Sequence, residues 1–466
     1  MENEPASAPK TGVSAEPTAA RAARYLPGFH VLAKPIGPIC NLDCTYCFYL
    51  HKEKLFPKGE RFRMSDETLE NFIRQYIESQ SVPEVNFAWQ GGEPTLLGVP
   101  FFQKVVELQK KYAQPRQTIS NALQTNGVLL DDEWGRFLKE HDVLVGLSID
   151  GPRELHDKYR VDKGGRPTFD RVMAGLRILQ KHGVRVNSLT CVNRLTGNHG
   201  GEVYRFLRDE AGLEHLQFIP IVEERTFEEQ APGVRSGDVG GQDPLRLVTP
   251  WTVEPRQFGR FLCNVFDEWV RHDVGRVFVQ HFEVTLALTM GLPSPLCIFS
   301  KTCGKATAIE HDGTLYACDH FVYEPFRLGN VNREHLRDLL IGRPQIAFGT
   351  DKFAKLPRCC RQCEFLELCY GECPKNRILK TPDGEPGLNY LCAGLKIFFR
   401  HVTPVMGLMA RELSAGRPAV NVMHALQASE QASAAGKPLR PRRPPAPPAP
   451  TIPAPAAAER SSRNAA

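Results

Sequence analysis
The chain is predicted to be an α/β protein, a partial (β/α)6 TIM-like barrel followed by a cysteine-rich domain. Three observations predict it. Apolar strand-like runs alternate with amphipathic helical runs about six times between Val31 and Val222, and repeated βα units imply a parallel sheet covered by helices. From about Leu292 the helical periodicity fades into short Gly/Pro/Asp turns. The 14 cysteines are clustered: Cys40, Cys44 and Cys47 lie together, nine fall between Cys297 and Cys392, and only Cys191 and Cys263 lie between those groups.

The elements follow in order. Val31–Lys34 reads as the first short strand. Leu69, Phe72, Ile73, Tyr76 and Ile77 share one helical face, with Ser65 as N-cap. Val85, Phe87 and Trp89 alternate as a strand, and Phe101 to Tyr112 is helical. Thr118–Thr125 is a strand, Asp132–His141 a helix and Val143–Ile149 an apolar strand. Phe169–His182 is a helix that Gly183 ends, Val184–Val192 a strand, Val203–Ala211 a helix and Leu216–Val222 a strand. A polar, Gly-rich stretch, Glu223–Val248, precedes a helix over Pro255–His272, and Ile397–Leu413 reads as a closing helix. The expected organisation is a disordered N-terminal tail (1–24), the barrel (25–240), a helical linker region (241–291), the cysteine-rich domain (292–400), and a closing helix with a proline-rich tail (401–466). Lys437–Pro455 carries nine prolines and cannot build a packed core.

Composition narrows the function. At 466 residues and 42% hydrophobic content the chain can bury a large core without disulfides. A net charge of +5 excludes reading the whole chain as a nucleic-acid binder. No stretch approaches the ~18 apolar residues of a membrane span, and the first 25 residues lack the apolar core of a secretory signal. A cytoplasmic protein is expected, with no membrane and no nucleic acid as partner. There, clustered cysteines point to metal or catalysis rather than disulfides. Cys191, in an apolar strand, and Cys263, on a helix, read as core residues.

Cys40-x3-Cys44-x2-Cys47 follows the first strand at its C-terminal end. Three thiolates on one loop can bind three irons of a cubane cluster and leave the fourth open, whereas structural zinc usually takes four ligands. This spacing after the first strand of a βα barrel resembles the radical S-adenosylmethionine (SAM) superfamily. The resemblance implies a [4Fe–4S] cluster on Cys40, Cys44 and Cys47, with SAM chelated at the open iron and cleaved by one electron to a 5′-deoxyadenosyl radical. It assigns Tyr49 to the aromatic near the adenine. It assigns Gly91-Gly92-Glu93-Pro94, directly after the second strand, to the loop that accepts from the methionine ammonium. Ser148 becomes a ribose or carboxylate contact, Arg160 the hold on the SAM carboxylate, and Val222 a wall of the adenine site. Read from the residues alone, two glycines let a backbone approach closely and a guanidinium suits a bidentate hold on a carboxylate. Asp150, before Gly151-Pro152, reads equally as an Asx turn. Gln124-Thr125-Asn126-Gly127 would face the same pocket.

The second group runs Cys297, Cys303, Cys318, then Cys360, Cys363, Cys369, Cys373 and Cys392, eight thiols that suffice for two four-cysteine sites of iron–sulfur or zinc type. The string resembles the SPASM domain, a module with two auxiliary [4Fe–4S] clusters. That implies three [4Fe–4S] clusters in all. By the resemblance, Cys297, Cys303, Cys318 and Cys373 hold one auxiliary cluster, and Cys360, Cys363, Cys369 and Cys392 the other. Cys359 is a neighbour one residue from Cys360 and the alternative ligand.

Tyr316-Ala317-Cys318-Asp319-His320-Phe321-Val322, with Leu328-Gly329-Asn330 after it, resembles the anaerobic sulfatase-maturating enzymes. The resemblance spans Phe29 to Phe399. It implies oxidation of a cysteine or serine in an unfolded or nascent sulfatase polypeptide to Cα-formylglycine. Asp319 would be the proton acceptor, and a flavodoxin or ferredoxin the electron donor. A carboxylate serves as a base if the substrate proton comes within hydrogen-bond reach. Two rivals are weighed. Another SPASM-type peptide modifier, such as a thioether-forming peptide cyclase, often carries a leader-binding domain for which the residues before the first strand leave no room. A zinc-stapled binding protein would be colourless and free of sulfide.

Overall fold
The computed structural model describes residues 28–232 and 244–434. The tail expected over 1–24, the proline-rich run Lys437–Pro455 and residues 233–243 of the polar stretch lie outside the described residues. Six parallel strands follow one another across the sheet in chain order: β1 (His30–Lys34), β2 (Glu84–Trp89), β3 (Thr118–Thr125), β4 (Leu144–Ser148), β5 (Val186–Val192) and β6 (His215–Pro220). Five helices return the chain between them: α1 (Asp66–Ser79), α2 (Val99–Tyr112), α3 (Asp132–Glu140), α4 (Phe169–Lys181) and α5 (Gly200–Arg205).

Local chemistry explains the boundaries. Ser65 accepts from the Thr68 amide and Asp131 from the Trp134 amide, so α1 and α3 start on capped N–H groups. The apolar stripe of α1 buries Leu69, Phe72, Ile73, Tyr76 and Ile77. Phe72 and Tyr76 meet Phe87 edge-on, and Trp89 continues the aromatic layer to Phe101 and Phe102. The helix read over Val203–Ala211 instead starts at Gly200 and finishes as a π-helical turn over Phe206–Glu210. Gly212, at φ +64, then ends it.

The sheet continues past both ends of the barrel strands. After α6 (Pro255–His272), β7 (Phe278–Val279) pairs parallel with β6 and leads into α7 (Gln280–Thr289). On the other edge β8 (Ala306–Glu310) pairs parallel with β1, followed by antiparallel β9 (Thr314–Tyr316) and β10 (Arg327–Asn330). The result is one ten-stranded sheet, β10-β9-β8-β1 through β7. Three strands of the cysteine-rich region therefore extend the barrel sheet, while Leu379–Lys380 and Pro386–Leu388 pair separately, and the segment between the barrel and the cysteine-rich region carries a strand as well as helices. A two-residue strand leaves no period-2 signal to read. The chain closes with α8 (Arg343–Ala354), α9 (Cys392–Ser414) and a helix over Asn421–Ala434; residues from His424 form a unit of their own.

Helices α6 and α9 pack backbone to backbone. A Cβ on Gly394 would lie 1.8 Å from the Pro255 carbonyl oxygen, and one on Gly259 would lie 2.3 Å from that of Gly394. Neither neighbour is a side chain that can swing away. Gly394→Ala is expected to force the helices apart and cost about 1–3 kcal/mol, the usual scale of overpacking, read as a lowered midpoint in anaerobic denaturant unfolding.

Candidate functional site
The first cysteine loop leaves β1 at Lys34. Cys40, Cys44 and Cys47 are half-buried free thiols. The Leu42 amide points at Cys40 Sγ at 3.3 Å, and the Tyr49 and Leu50 amides point at Cys47. Asn126 Nδ2 stands 3.8 Å from Cys40 Sγ. Burial pushes the Cys40 thiol up to about 12 and raises Cys44 and Cys47 as well. Thiols so desolvated, yet held in turns that aim N–H groups at sulfur, fit a role as thiolate ligands whose charge a metal cluster neutralises.

The Gly91-Gly92-Glu93 loop grips this cysteine loop. The Gly92 amide donates to Gly37 O at 2.7 Å and the Glu93 amide to Ile39 O at 2.8 Å. A Cβ on Gly92 would stand 1.8 Å from Ile39 O, and Gly91 has φ +138. The loop thus makes a close approach to the neighbouring backbone. The Glu93 side chain is engaged within the protein. Its buried carboxylate accepts from the Thr95 amide and hydroxyl (3.0 and 2.6 Å), the Thr125 hydroxyl (2.8 Å) and the Asn126 amide (2.7 Å). It ties the loop after β2 to the loop after β3.

Arg160 lies buried against Asp150, with Nη2 to Oδ1 and Nε to Oδ2 both at 3.0 Å. Tyr46 donates its hydroxyl to the same carboxylate, and the Cys191 amide donates to it at 2.9 Å. Asp150 is therefore the anchor of Arg160 rather than a turn residue alone. The guanidinium sits near enough to Cys44 to draw its thiol downward against burial. Cys191, read as plain core, places its sulfur 3.6 Å from Arg160 Nη2. Ser148 accepts from Gln124 Nε2 at 3.0 Å. Val222 is buried beyond the end of β6, and its carbonyl accepts from Lys375 Nζ at 2.6 Å.

Tyr49, the residue that the resemblance assigns to the adenine, is engaged on the β8 side of the loop. Its hydroxyl donates to Glu310 at the end of β8, the Lys34 ammonium sits 3.6 Å over its ring, and it packs on Ala308, Tyr316 and Val322. Lys34 Nζ also pairs with Asp319 Oδ1 at 2.6 Å. Asp319 begins the 3-10 turn that follows Cys318. Burial pushes its carboxyl up, but the Lys34 ammonium, with Lys375 behind it, outweighs that and holds it below its ordinary value. Burial, helped by Lys375, pushes the His320 imidazole down to about 4. Lys375 in turn binds Glu223 at 2.6 Å. Lys34, Glu310, Glu223 and Lys375 carry no motif of their own. A lysine closing an apolar strand was the one available signal for Lys34.

The C-terminal cysteines separate into two groups. Charge on Cys318 is opposed by Cys373 and Cys297, and charge on Cys373 by Cys297 and Cys303, so these four share one neighbourhood. Lys352 clamps its start, donating to the carbonyls of Cys297, Ile298 and Ser300 at 2.5, 2.8 and 2.6 Å. Cys360, Cys363, Cys369 and Cys392 instead line a single recess walled by Phe365, Leu366, Leu395 and Phe399. Cys359 is exposed and is not part of that wall, though it is close enough to Cys392 to raise its thiol. Backbone amides point at Cys318, Cys363, Cys369 and Cys373 as they do in the first loop. Among the described residues no three Cys, His, Asp or Glu side chains close on a single ion.

Comparison with known proteins gives two family matches along the chain. The radical SAM superfamily matches residues 35–207, and an iron–sulfur cluster-binding domain, SPASM, matches residues 297–364. The chain is 45% identical over 398 residues to a serine-type anaerobic sulfatase-maturating enzyme of Bacteroides thetaiotaomicron, covering 85% of this chain and 95% of that protein. It is 33% identical over 381 residues to a cysteine-type anaerobic sulfatase-maturating enzyme of Clostridium perfringens, covering 81% and 97%. The solved structure of native anSMEcpe with bound AdoMet superposes with a TM-score of 0.71 at 32% identity, over 82% of this chain and 99% of that one. Streptococcus suis SuiB bound to its precursor peptide SuiA, at 15% identity and a TM-score of 0.54, shares the fold.

Glu93 offers a direct check on this geometry. Glu93→Gln keeps the shape but turns an amide NH2 toward one of the donors the carboxylate now satisfies. An unpaired buried donor costs about 1–3 kcal/mol, so this isosteric change is expected to lower the unfolding midpoint measurably.

Proposed function
Because the chain belongs to the anaerobic sulfatase-maturating enzymes, which join a radical SAM domain to a SPASM domain, we propose that it acts on a serine of the sulfatase polypeptide, with Asp319 as proton acceptor. Formylglycine generation with SAM and [4Fe–4S] clusters is the activity of this family. The observation that carries the residue assignment is the 2.6 Å pair between Lys34, at the mouth of the first cysteine loop, and Asp319, beside Cys318. It supports a proton acceptor between the first cysteine group and the C-terminal ones.

Cys40, Cys44 and Cys47 would hold the SAM-binding cluster. Cys297, Cys303, Cys318 and Cys373 would hold one auxiliary cluster, and Cys360, Cys363, Cys369 and Cys392 the other. When bound, SAM and its cluster supply abstraction of a hydrogen atom from the target Cβ. The chain's own residues handle the remaining proton. Lys34 keeps Asp319 ionised while the site is dry, so the carboxylate is ready to take the hydroxyl proton of the serine. Loss of one hydrogen atom, one proton and one electron converts the CH2OH group to the aldehyde. His320, neutral by burial, packs against Phe48 with ring centroids 5.4 Å apart and closes the side of the turn.

Serine is preferred on the relatives: the serine-type enzyme of Bacteroides is 45% identical, the cysteine-type enzyme of Clostridium 33%. The substrate is an unfolded or nascent segment, since a buried acceptor can be reached only by an extended chain. Among the described residues no helix is long and apolar enough to cross a membrane. Thiolate clusters persist in a reducing compartment, which favours the cytoplasm and a flavodoxin or ferredoxin as electron donor.

Three measurements test the reading. Reconstituted protein incubated anaerobically with SAM, a reductant and matched serine and cysteine sulfatase peptides should give formylglycine by mass spectrometry, faster from serine. Changing Cys40, Cys44 and Cys47 together to Ala should lower iron from about 12 to about 8 per chain, given four irons per cluster, and abolish 5′-deoxyadenosine formation. Asp319→Asn should lower formylglycine by about 10²–10⁴, the usual cost of losing a general base, while 5′-deoxyadenosine still forms and iron is retained.

A further inference from the structure
Four lysines are buried among the described residues: Lys34, Lys52, Lys352 and Lys375. Three are paired with oxygen. Lys34 holds Asp319, Lys352 holds three carbonyls, and Lys375 holds Glu223 and the Val222 carbonyl. Lys52 is the exception. It is 2% exposed, and its Nζ has no hydrogen-bond partner. The contact recorded for the ammonium is the face of the Tyr323 ring, 3.1 Å below it. The Tyr323 hydroxyl is itself committed to Phe227 O.

The position of Lys52 says what is missing. It lies on the 3-10 turn Leu50–Leu55, just after Cys47 and Tyr49. Its charged neighbours are Glu223, Glu310, Lys34 and Asp319, the groups that surround the proposed proton acceptor. None of the three carboxylates pairs with it. Glu223 is held by Lys375, Asp319 by Lys34, and Glu310 by Tyr49. A buried ammonium without an oxygen partner is strongly disfavoured, so this arrangement makes sense when an acceptor arrives from outside. Three lysines already balance three carboxylates here. An anionic acceptor would unbalance the site and face those carboxylates, whereas a neutral carbonyl oxygen would not.

We propose that Lys52 is a substrate-binding residue whose ammonium donates to a main-chain carbonyl oxygen of the sulfatase segment beside the target residue, fixing the register that presents the target to Asp319. This rests on the reading of the site as a sulfatase-maturating centre. A fluorescein-labelled peptide carrying the target serine would be titrated into cluster-reconstituted enzyme with SAM and followed by anisotropy. Lys52→Met, which keeps the stem over Tyr323 but cannot donate, should weaken peptide binding at least about tenfold and raise KM with little change in kcat, with iron content and SAM binding unchanged. Lys52→Arg should recover part of the affinity. In the unaltered enzyme, replacing one peptide carbonyl at a time by a thiocarbonyl, a poorer acceptor, should weaken binding at one position next to the target, and Lys52→Met should erase that penalty. Equal affinity of Lys52→Met and the unaltered enzyme, or no sensitive carbonyl in the thiocarbonyl series, overturns the proposal. Failure of the unaltered enzyme to bind or oxidise any sulfatase peptide would instead remove the functional reading beneath it.

Discussion
Five parallel pairings, from His30 opposite Ala306 to Lys34 opposite Glu310, join the first strand of the barrel to the first strand of the cysteine-rich region. Everything chemical in the molecule depends on that register. Strand β1 ends in Lys34 and hands the chain to the loop with Cys40, Cys44 and Cys47. Strand β8 ends in Glu310, and the hairpin after it returns the chain to Cys318 and Asp319. Because side chains alternate along a strand, a shift of one residue would turn Lys34 or Glu310 to the opposite face. The pair at 2.6 Å between Lys34 and Asp319 would then be lost.

Burial gives these few charges their weight. Lys34 is 1% exposed and Glu310 fully buried, so each interaction acts in a medium where charges are poorly screened. The same dryness penalises the thiolates of Cys40 and Cys318 and drives His320 to its neutral form. A site of this kind is costly to keep unless its ligands arrive together. The backbone amides aimed at sulfur and the buried Lys52 amine are two kinds of donor that such ligands would satisfy.

Much of this was legible in the residues. Apolar alternation and helical periodicity located the six barrel strands and their helices to within a few residues. Ser65 and the glycine after Phe169–His182 marked real termini. The two C-terminal groups of four came from the resemblance to the SPASM domain and not from spacing; in the fold Cys297, Cys303, Cys318 and Cys373 share one neighbourhood. What stayed hidden was pairing between distant segments. No local pattern links β8 to β1, since they are separated by more than 250 residues. Tyr49, Glu93 and Asp150 were read by position in a motif, yet their partners (Glu310, Asn126 and Arg160) are set by tertiary contact. Glu223 and Lys375 sit in stretches without periodicity, where a charged residue ordinarily means solvent.

The contact between Gly259 and Gly394 reaches beyond stability. Helix α9 opens with Cys392, and two residues later it presses its bare backbone against the start of α6. Strand β8 likewise belongs to the barrel sheet while its sequence belongs to the cysteine-rich half. The two halves are thus not interchangeable cassettes. A chimera that grafts the C-terminal half of one relative onto the barrel of another would have to carry over both glycines and the β1–β8 edge, or else inherit a thiol cage hung at the wrong angle on its new host.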